Sequence, residues 1–191
     1  MFARTPRLLL RPGWQEDAQA LHAAMADEGV VRNLARAPWP YSLSDAETFL
    51  SREPDPRLPM FLAFNRTQGR PLLIGGCGIG RREDDSLELG YWVARPYWGL
   101  GFATEATRAV MRIARATGLT GIGSSHFVDN PASGRVMRKL GFRPTGTFVR
   151  RFSAGRGEEV LAMVYEDTGE SDMRGDVAFE LYGDAAALAA A

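Results

Sequence analysis

The sequence predicts a single-domain mixed α/β fold with a mostly antiparallel sheet, and two observations support this. Short apolar segments at 60–64 and 72–79 flank the polar turn 65–69, a pattern typical of an antiparallel hairpin. From residue 87 onward, strand patterns alternate with two helical patterns, as in strands joined by crossover helices. Along the chain, one strand is followed by helices, then by antiparallel strands, and finally by strands that alternate with helices. This order indicates one sheet flanked by helices.

The first part of the chain predicts one strand and three helical segments. Residues 7–11 are short and apolar and end before a Pro-Gly pair, which is typical of a strand. Helical spacing of apolar residues follows Glu16 and ends at Gly29, and a second short helical piece follows it. Ser44 with Glu47 three residues later predicts the start of a third helix through a capping box.

The second part predicts a strand over 87–94, on which the odd-numbered residues share one face. A helix is expected over about 102–117, a strand near 124–128 and a further helix after Asn130. The segments 148–152 and 160–165 then predict a closing hairpin.

We expect residues 1–168 to form the domain and residues 169–191 to form a C-terminal tail. The tail is polar and then rich in alanine. Its apolar residues alternate loosely, so a further strand or a contact in a homodimer stays possible for Val177, Phe179, Leu181 and Tyr182.

The charge balance of the chain argues against some classes of binding partner. The 23 basic and 23 acidic residues balance to a net charge of zero, so no overall field attracts nucleic acid or an anionic membrane. An anionic ligand must therefore be held by a local site. The apolar run at residues 8–10 is too short for a signal peptide or a membrane span, and a cytoplasmic location is expected.

Cysteine and histidine usage argues against a structural metal site. Cys77 is the only cysteine, which excludes an intramolecular disulfide and Cys-rich zinc sites, and it is expected to be a small buried hydrophobic residue. The two histidines, His22 and His126, lie far apart in the sequence. We therefore expect no metal.

The turn at 98–102 (WGLGF) is the strongest chemical signal. Gly99 and Gly101 flank one residue where a predicted strand meets a helix, and such a turn directs main-chain N–H groups at an anion beside the positive end of the helix dipole. Glycine also lets the backbone approach a phosphate closely. A pyrophosphate site is the functional interpretation, and a plain tight turn is the structural one. No Gly-Lys-Ser/Thr follows, so the turn is not a P-loop.

Four motifs together resemble the GNAT acetyltransferases, most closely the RimJ/RimL branch of ribosomal-protein N-terminal acetyltransferases. The segments 5–12 and 16–18 also resemble the opening of that branch. The resemblance spans about residues 5–165. The four motifs are 88–93 (ELGYWV), 97–106 (YWGLGFATEA), 130–133 (NPAS) and 139–142 (KLGF).

This resemblance implies transfer of an acetyl group from acetyl-CoA to an amine, by direct attack in a ternary complex. The acceptor is then a protein N-terminal α-amine or a small-molecule amine. No residue pattern indicates a covalent nucleophile. The alternative is a non-catalytic acyl-CoA-binding module with a sensing or assembly role.

The resemblance also implies the coenzyme A contacts. In the family, a splayed pair of strands receives the pantetheine arm on free main-chain groups, and one N–H there can stabilise the tetrahedral oxyanion. Pro96 departs from the family pattern, which often has Gln or Arg at that place. The implied coenzyme A-binding residues are Trp92, Val93, Ala94, Trp98, Gly99, Leu100, Gly101, Phe102, Ala103, Thr104, Asn130 and Ser133.

Two residues are candidates for proton transfer. Many relatives have a tyrosine where this chain has Met137, so the resemblance implies that Ser133 protonates the leaving thiolate; a first-turn serine bonded to backbone is the alternative. Glu88 shares a strand face with Trp92, and a carboxylate there with a raised pKa could accept the amine proton. The alternative for Glu88 is an ion pair with an arginine.

Three further residues complete the predicted site. Asn130 either hydrogen-bonds the pantetheine arm or caps the following helix. Trp39 and Tyr41 lie in the region that walls the acceptor site in the family, so an exposed aromatic there is a substrate wall and a buried one is core. Tyr91 falls on the opposite face of its strand and is expected to pack.

Overall fold

Nine strands and five α-helices form the part of the chain that the computed structural model describes, which is residues 1–67, 69–169 and 180–182. The strands are β1 (Phe2–Arg4), β2 (Leu8–Arg11), β3 (Met60–Asn65), β4 (Leu72–Arg81), β5 (Leu87–Val93), β6 (Ile122–Phe127), β7 (Phe142–Ser153), β8 (Glu158–Asp167) and β9 (Glu180–Tyr182). The helices are α1 (Ala18–Met25), α2 (Glu28–Val31), α3 (Leu43–Leu50), α4 (Phe102–Ala116) and α5 (Pro131–Lys139).

All nine strands belong to one sheet, in the order β7-β8-β6-β5-β4-β3-β2-β1-β9. Among these described strands, β5 and β6 form the one parallel pair, and every other neighbouring pair is antiparallel. The predicted mixed α/β fold with a mostly antiparallel sheet is therefore confirmed.

The parallel pair β5–β6 separates soon after it begins. Only Leu87 with Ile122 and Glu88 with Gly123 are in register, although β5 continues to Val93. Beyond these pairs the two strands diverge, and a gap opens in the middle of the sheet. The predicted splayed strand pair is confirmed.

The two faces of the sheet carry separate hydrophobic cores. On β3, Phe61 and Ala63 join the larger core, which contains α4, whereas Leu62 and Phe64 join a second core with α1 and α3. This alternation follows from the two-residue period of a strand. The sheet thus separates two layers of helices, each packed on its own face.

Helix α3 begins two residues earlier than the sequence predicted. Ser42 Oγ accepts from Asp45 N at 3.1 Å, and Asp45 Oδ2 accepts from Ser42 N at 2.8 Å, which completes a capping box. Ser44 and Glu47 have the same spacing, so the local pattern alone could not separate the two starts. The predicted Ser44 cap is wrong.

The described part of the predicted tail extends the sheet. Residues 180–182 form β9, which pairs antiparallel with β1, and Leu181 packs against the larger core. Strand β1 itself was not predicted. Val177 and Phe179 lie outside the described residues, and so does most of the segment 169–191.

Cys77 is 3% exposed, and burial raises the pKa of its thiol to about 12. This confirms the prediction of a small buried hydrophobic residue. Within the described ranges, no helix is long and apolar enough to cross a membrane. The same ranges contain no group of three or more His, Cys, Asp or Glu side chains that could hold a metal.

Candidate active site

The gap between β5 and β6 exposes main-chain groups of β5. Ala94 N donates to Ile74 O at 2.8 Å, so the even-numbered residues of β5 exchange hydrogen bonds with β4. The odd-numbered residues consequently direct their N–H and C=O groups toward β6. Because β6 has diverged, these groups line the gap.

Two of the exposed carbonyls already have side-chain donors. Ser124 Oγ donates to Leu89 O at 3.0 Å, and the indole Nε1 of Trp98 donates to Val93 O at 2.6 Å. Within the described residues, no residue of β5 after Glu88 is in register with β6, so the N–H and C=O of Tyr91 and the N–H of Val93 face the gap. The gap therefore presents two donors and one acceptor along one strand.

Trp92 and Ala94 do not belong to this row of groups. Their main-chain groups face β4, and the Trp92 indole packs over Gly76, where a Cβ would lie 2.7 Å from Nε1. Pairing with β4 occupies that edge of the strand, so a contact of Trp92 or Ala94 with coenzyme A would not use main-chain groups in the gap, and this contact stays a prediction. The alternation of an antiparallel pair is the physical reason that their main-chain groups face β4.

The predicted glycine turn lies at the end of the gap. Gly99 and Gly101 have φ of 75° and 83°, which is the left-handed region that favours glycine, and α4 begins directly afterwards at Phe102. The first N–H groups of α4 have no partner inside the helix. The side chains of Phe102 and Thr104 are buried, so these residues can meet a ligand only through the main chain.

Arg7 brings a positive charge to this turn. Its Nη1 donates to Leu100 O at 2.9 Å, and its Nη2 lies 3.5 Å from the position of a Cβ on Gly101. The guanidinium stacks on Phe102, with 4.2 Å between the guanidinium carbon and the ring centroid. This residue was not predicted, because the contact joins the residue before β2 to the turn before α4 across 93 positions of the chain.

Asn130 caps α5. Its Oδ1 accepts from Ser133 N at 3.4 Å, so the helix-cap interpretation is confirmed. The two N–H bonds of the Asn130 amide remain as candidate donors for a ligand, and this role stays a prediction.

Ser133 contacts Tyr91 across the gap. Tyr91 Oη lies 2.7 Å from Ser133 Oγ, and the same hydroxyl donates to Ser133 O at 3.0 Å. Burial, opposed by the hydrogen bond with Ser133, raises the pKa of Tyr91 to about 12. The prediction that Tyr91 only packs is incomplete. A tyrosine on the buried face of a strand needs a partner for its hydroxyl, and that signal could have revealed this contact.

Glu88 is held by cations at the point where β5 and β6 separate. It accepts hydrogen bonds from Arg82 and from Ser125 Oγ at 2.9 Å, and Arg151 Nη1 lies 3.5 Å away. Burial alone raises the pKa of this carboxyl, but the Arg82 hydrogen bond, both guanidinium charges and Ser125 outweigh burial and lower it. The expected raised pKa is wrong, and the ion-pair alternative describes the geometry.

Trp39 and Tyr41 have different surroundings. Trp39 is 39% exposed, whereas Tyr41 is 8% exposed and packs in the second core. Burial, with a smaller effect from the charge of Asp45, raises the pKa of Tyr41 to about 12. By the criterion of exposure, Trp39 stays a candidate substrate wall and Tyr41 is a core residue.

The β7–β8 hairpin is fastened to the loop after α2. Arg156 binds Asp129 through both terminal nitrogens, at 2.8 and 3.0 Å, and its Nε donates to Arg32 O at 2.7 Å. Ser153 Oγ also donates to Leu34 O at 3.1 Å. These contacts join the end of β6 to the segment that leads to Trp39.

A known protein family accounts for this arrangement. Residues 7–143 match the family model described as an acetyltransferase (GNAT) domain. The chain belongs to the GNAT acetyltransferase family. As a family member it is an N-acetyltransferase, and the family acts on amines with acetyl-CoA.

Individual relatives agree with this family and fold. An uncharacterized N-acetyltransferase of Bacillus subtilis (strain 168), YoaA, is 28% identical over 169 residues, which cover 84% of this chain and 93% of YoaA. A GNAT-family acetyltransferase structure from Bacillus anthracis has a TM-score of 0.72 at 24% identity, covering 87% of this chain and 97% of that one. The structure of RimL, a ribosomal L7/L12 alpha-N-protein acetyltransferase, has a TM-score of 0.67 at 20% identity, covering 85% and 90%.

Proposed function

We propose that this GNAT enzyme transfers the acetyl group of acetyl-CoA to a protein N-terminal α-amine or to a small-molecule amine. One observation carries the proposal: a row of unpaired main-chain groups on β5 leads to a glycine turn at the start of α4. A pyrophosphate needs N–H donors at a helix N-terminus, and a pantetheine arm needs alternating amide partners. The gap provides both.

The residues of the gap fit coenzyme A in a consistent order. Gly99 and Gly101 lack side chains where a pyrophosphate would approach, and nothing lies within 4 Å of a Cβ placed on Gly99. Tyr91 and Val93 supply the donors and the acceptor for the amides of the pantetheine arm, and Asn130 supplies a further donor. The guanidinium of Arg7, which is ion-paired with Glu105, lies beside the turn where the phosphates would bind.

We place acetyl transfer at the end of the gap near Ser133. A main-chain N–H of β5 stabilises the oxyanion as the amine attacks the thioester carbonyl. Ser133 protonates the departing thiolate. Attack is direct, since Cys77 is buried in the larger core and its thiol is not ionised at neutral pH.

The contacts of Glu88 argue against its predicted role as a general base. A carboxylate whose pKa is lowered by two arginines is a weak base. An α-amine has a pKa of about 8, so a useful fraction is already neutral at physiological pH. We propose that the amine proton leaves to water and that Glu88 orders Arg82 and Arg151 on the acceptor side of the sheet.

The acceptor class is the finer part of the proposal. The likeness to RimL supports an α-amine, and the exposed Trp39, which follows the loop fastened to the hairpin, offers an apolar wall for the group that carries the amine. A screen of peptides with free N-termini and of small amines, followed by release of coenzyme A thiol, tests this. Release with at least one peptide is expected, and acetylation of small amines alone would contradict the N-terminal acceptor.

Binding of acetyl-CoA is tested separately by thermal shift. Because a ligand that binds only the folded state stabilises it, saturating acetyl-CoA should raise the melting temperature. A shift without turnover of any amine would favour the non-catalytic acyl-CoA-binding module. The absence of a shift at saturation would contradict the proposed ligand.

A further inference from the structure

We propose that Tyr91 is a second proton-transfer residue of this site, which delivers through Ser133 the proton that the leaving thiolate takes. This inference rests on the proposed acetyl-CoA chemistry. It starts from the contact of 2.7 Å between Tyr91 Oη and Ser133 Oγ, which spans the gap from β5 to the first turn of α5.

Serine alone is poorly suited to the task. A thiol such as that of cysteine has a pKa of about 8.5, and an alcohol is a far weaker acid, so proton transfer from an isolated Ser133 would leave an alkoxide at high cost. A phenol is a stronger acid than an alcohol. A tyrosine that donates a hydrogen bond to the serine oxygen can give its own proton to that oxygen while the serine proton moves to the thiolate.

The hydroxyl geometry allows two arrangements of the protons. In the first, Tyr91 donates to Ser133 O at 3.0 Å and Ser133 Oγ donates to Tyr91 Oη. In the second, Tyr91 donates to Ser133 Oγ, and the serine proton is free to point into the gap. Rotation of the two hydroxyl groups converts one arrangement into the other without movement of either chain segment.

The transfer balances in atoms and charge. As the C–S bond breaks, sulfur takes the electron pair and the proton of Ser133 Oγ, while Ser133 Oγ takes the proton of Tyr91 Oη. The attacking amine loses its proton to water. The phenolate left on Tyr91 then takes one proton back from water, so no net charge remains on the protein. Burial raises the pKa of Tyr91 to about 12, so this residue carries its proton at neutral pH and regains it readily.

Tyr165 provides a matched control. Its hydroxyl is also buried, lies near the same helix, and has no hydrogen-bond partner among the described residues. Tyr165→Phe should therefore leave turnover and acetyl-CoA affinity unchanged. Tyr91→Phe removes the same single oxygen from a tyrosine that contacts Ser133.

The test compares Tyr91→Phe, Ser133→Ala and the double variant in the full chain, with the amine found in the acceptor screen. Each single variant should lower kcat on the order of 10- to 100-fold, the low end for general acid catalysis, while the Kd of acetyl-CoA stays within about twofold. The double variant should lose no more than Ser133→Ala alone, because the two hydroxyls act in series. A proton inventory in mixtures of light and heavy water should change from two transferred protons to one in Tyr91→Phe.

A readout without ligand checks the pairing itself. The hydroxyl proton of Tyr91 should give a slowly exchanging NMR signal that is absent in Tyr91→Phe and shifted in Ser133→Ala. Tyr165→Phe should move the signal less, because Tyr165 acts on Tyr91 without a hydrogen bond. An active wild type with an unimpaired Tyr91→Phe would overturn the role of Tyr91 alone, and so would losses that multiply in the double variant. No turnover of any amine by the wild type would instead overturn the proposed function, and the role of Tyr91 with it.

Discussion

Arg7 donates through Nε to Glu105 Oε2 at 2.6 Å, and this contact ties the segment before β2 to the first turn of α4. Glu105 Oε1 also accepts from Thr5 Oγ1 at 2.6 Å and from Arg7 N at 3.0 Å. The carboxylate is 8% exposed, so water cannot replace these donors. These hydrogen bonds anchor the glycine turn to the N-terminal segment of the chain.

Glu105→Ala should destabilise the fold. The change removes a buried carboxylate that accepts three hydrogen bonds, and we expect a loss on the order of 2–3 kcal/mol in the free energy of unfolding. Urea unfolding measures this. Arg4→Ala breaks the exposed pair with Glu180 at 3.4 Å and should cost less than about 1 kcal/mol. Equal losses in the two variants would contradict the argument from burial.

Gly101→Ala should weaken acetyl-CoA binding more than it weakens the fold. A side chain at a φ of 83° costs about 1–2 kcal/mol and also places a methyl group where the pyrophosphate approaches. Gly146→Ala is the matched control, because its φ is 79°, its Cβ would meet nothing within 4 Å, and it lies on β7. Thermal stability should fall similarly in both variants, and only Gly101→Ala should lose affinity. A parallel loss of affinity in Gly146→Ala would show a global effect.

The Glu88 ion pairs should make part of the stability depend on pH. Because the folded pKa lies below the ordinary value of 4.5, the contribution is present above that value and is lost as the pH falls through the folded pKa. Glu88→Gln should therefore be less stable than wild type at neutral pH, and the difference should shrink in acid. Unfolding in urea at pH 7 and near pH 4 measures it.

Glu83→Gln, in the exposed turn before β5, serves as the control for this experiment. It should show little difference from wild type at either pH. A difference for Glu88→Gln that grows as the pH falls would contradict the lowered pKa.

Truncation after Thr168 should lower stability and leave turnover intact. The change removes β9, including Leu181, from β1 at the edge of the sheet. Four strands separate β9 from β5, so the gap should keep its geometry. Calorimetry and steady-state kinetics on the same preparation distinguish the two effects. Loss of kcat in a protein that still folds would show that the C-terminal segment contributes to the site.

The sequence predicted features that depend on local chemistry. The glycine turn, most of the strands and helices along the chain and the Asn130 cap each follow from residues within a few positions of one another. The capping box of α3 shows the limit of this approach, since two serines had acceptable partners and only tertiary packing selected Ser42. At the edge of the sheet, β1 was missed and a strand at Leu181 and Tyr182 was left as one alternative, because a three-residue strand carries too little pattern.

Contacts between distant segments were not predictable in the same way. Arg82 and Ser125 come to Glu88 from different elements, and together with Arg151 they reverse the pKa shift that a lone buried carboxylate would have. Tyr91 meets Ser133 across 42 positions. Such partners depend on the final arrangement of the chain, which residue spacing does not encode.

The early divergence of β5 from β6 has a consequence for amide hydrogen exchange. On one strand, the N–H groups of Tyr91 and Val93 face the open gap, while those of Gly90 and Trp92 are bonded to β4. Alternate amides of β5 should thus exchange fast and slowly in the free protein. Bound acetyl-CoA should slow exchange only at the amides of Tyr91 and Val93. The exchange pattern along β5 would then show whether the ligand is bound and which residues it contacts.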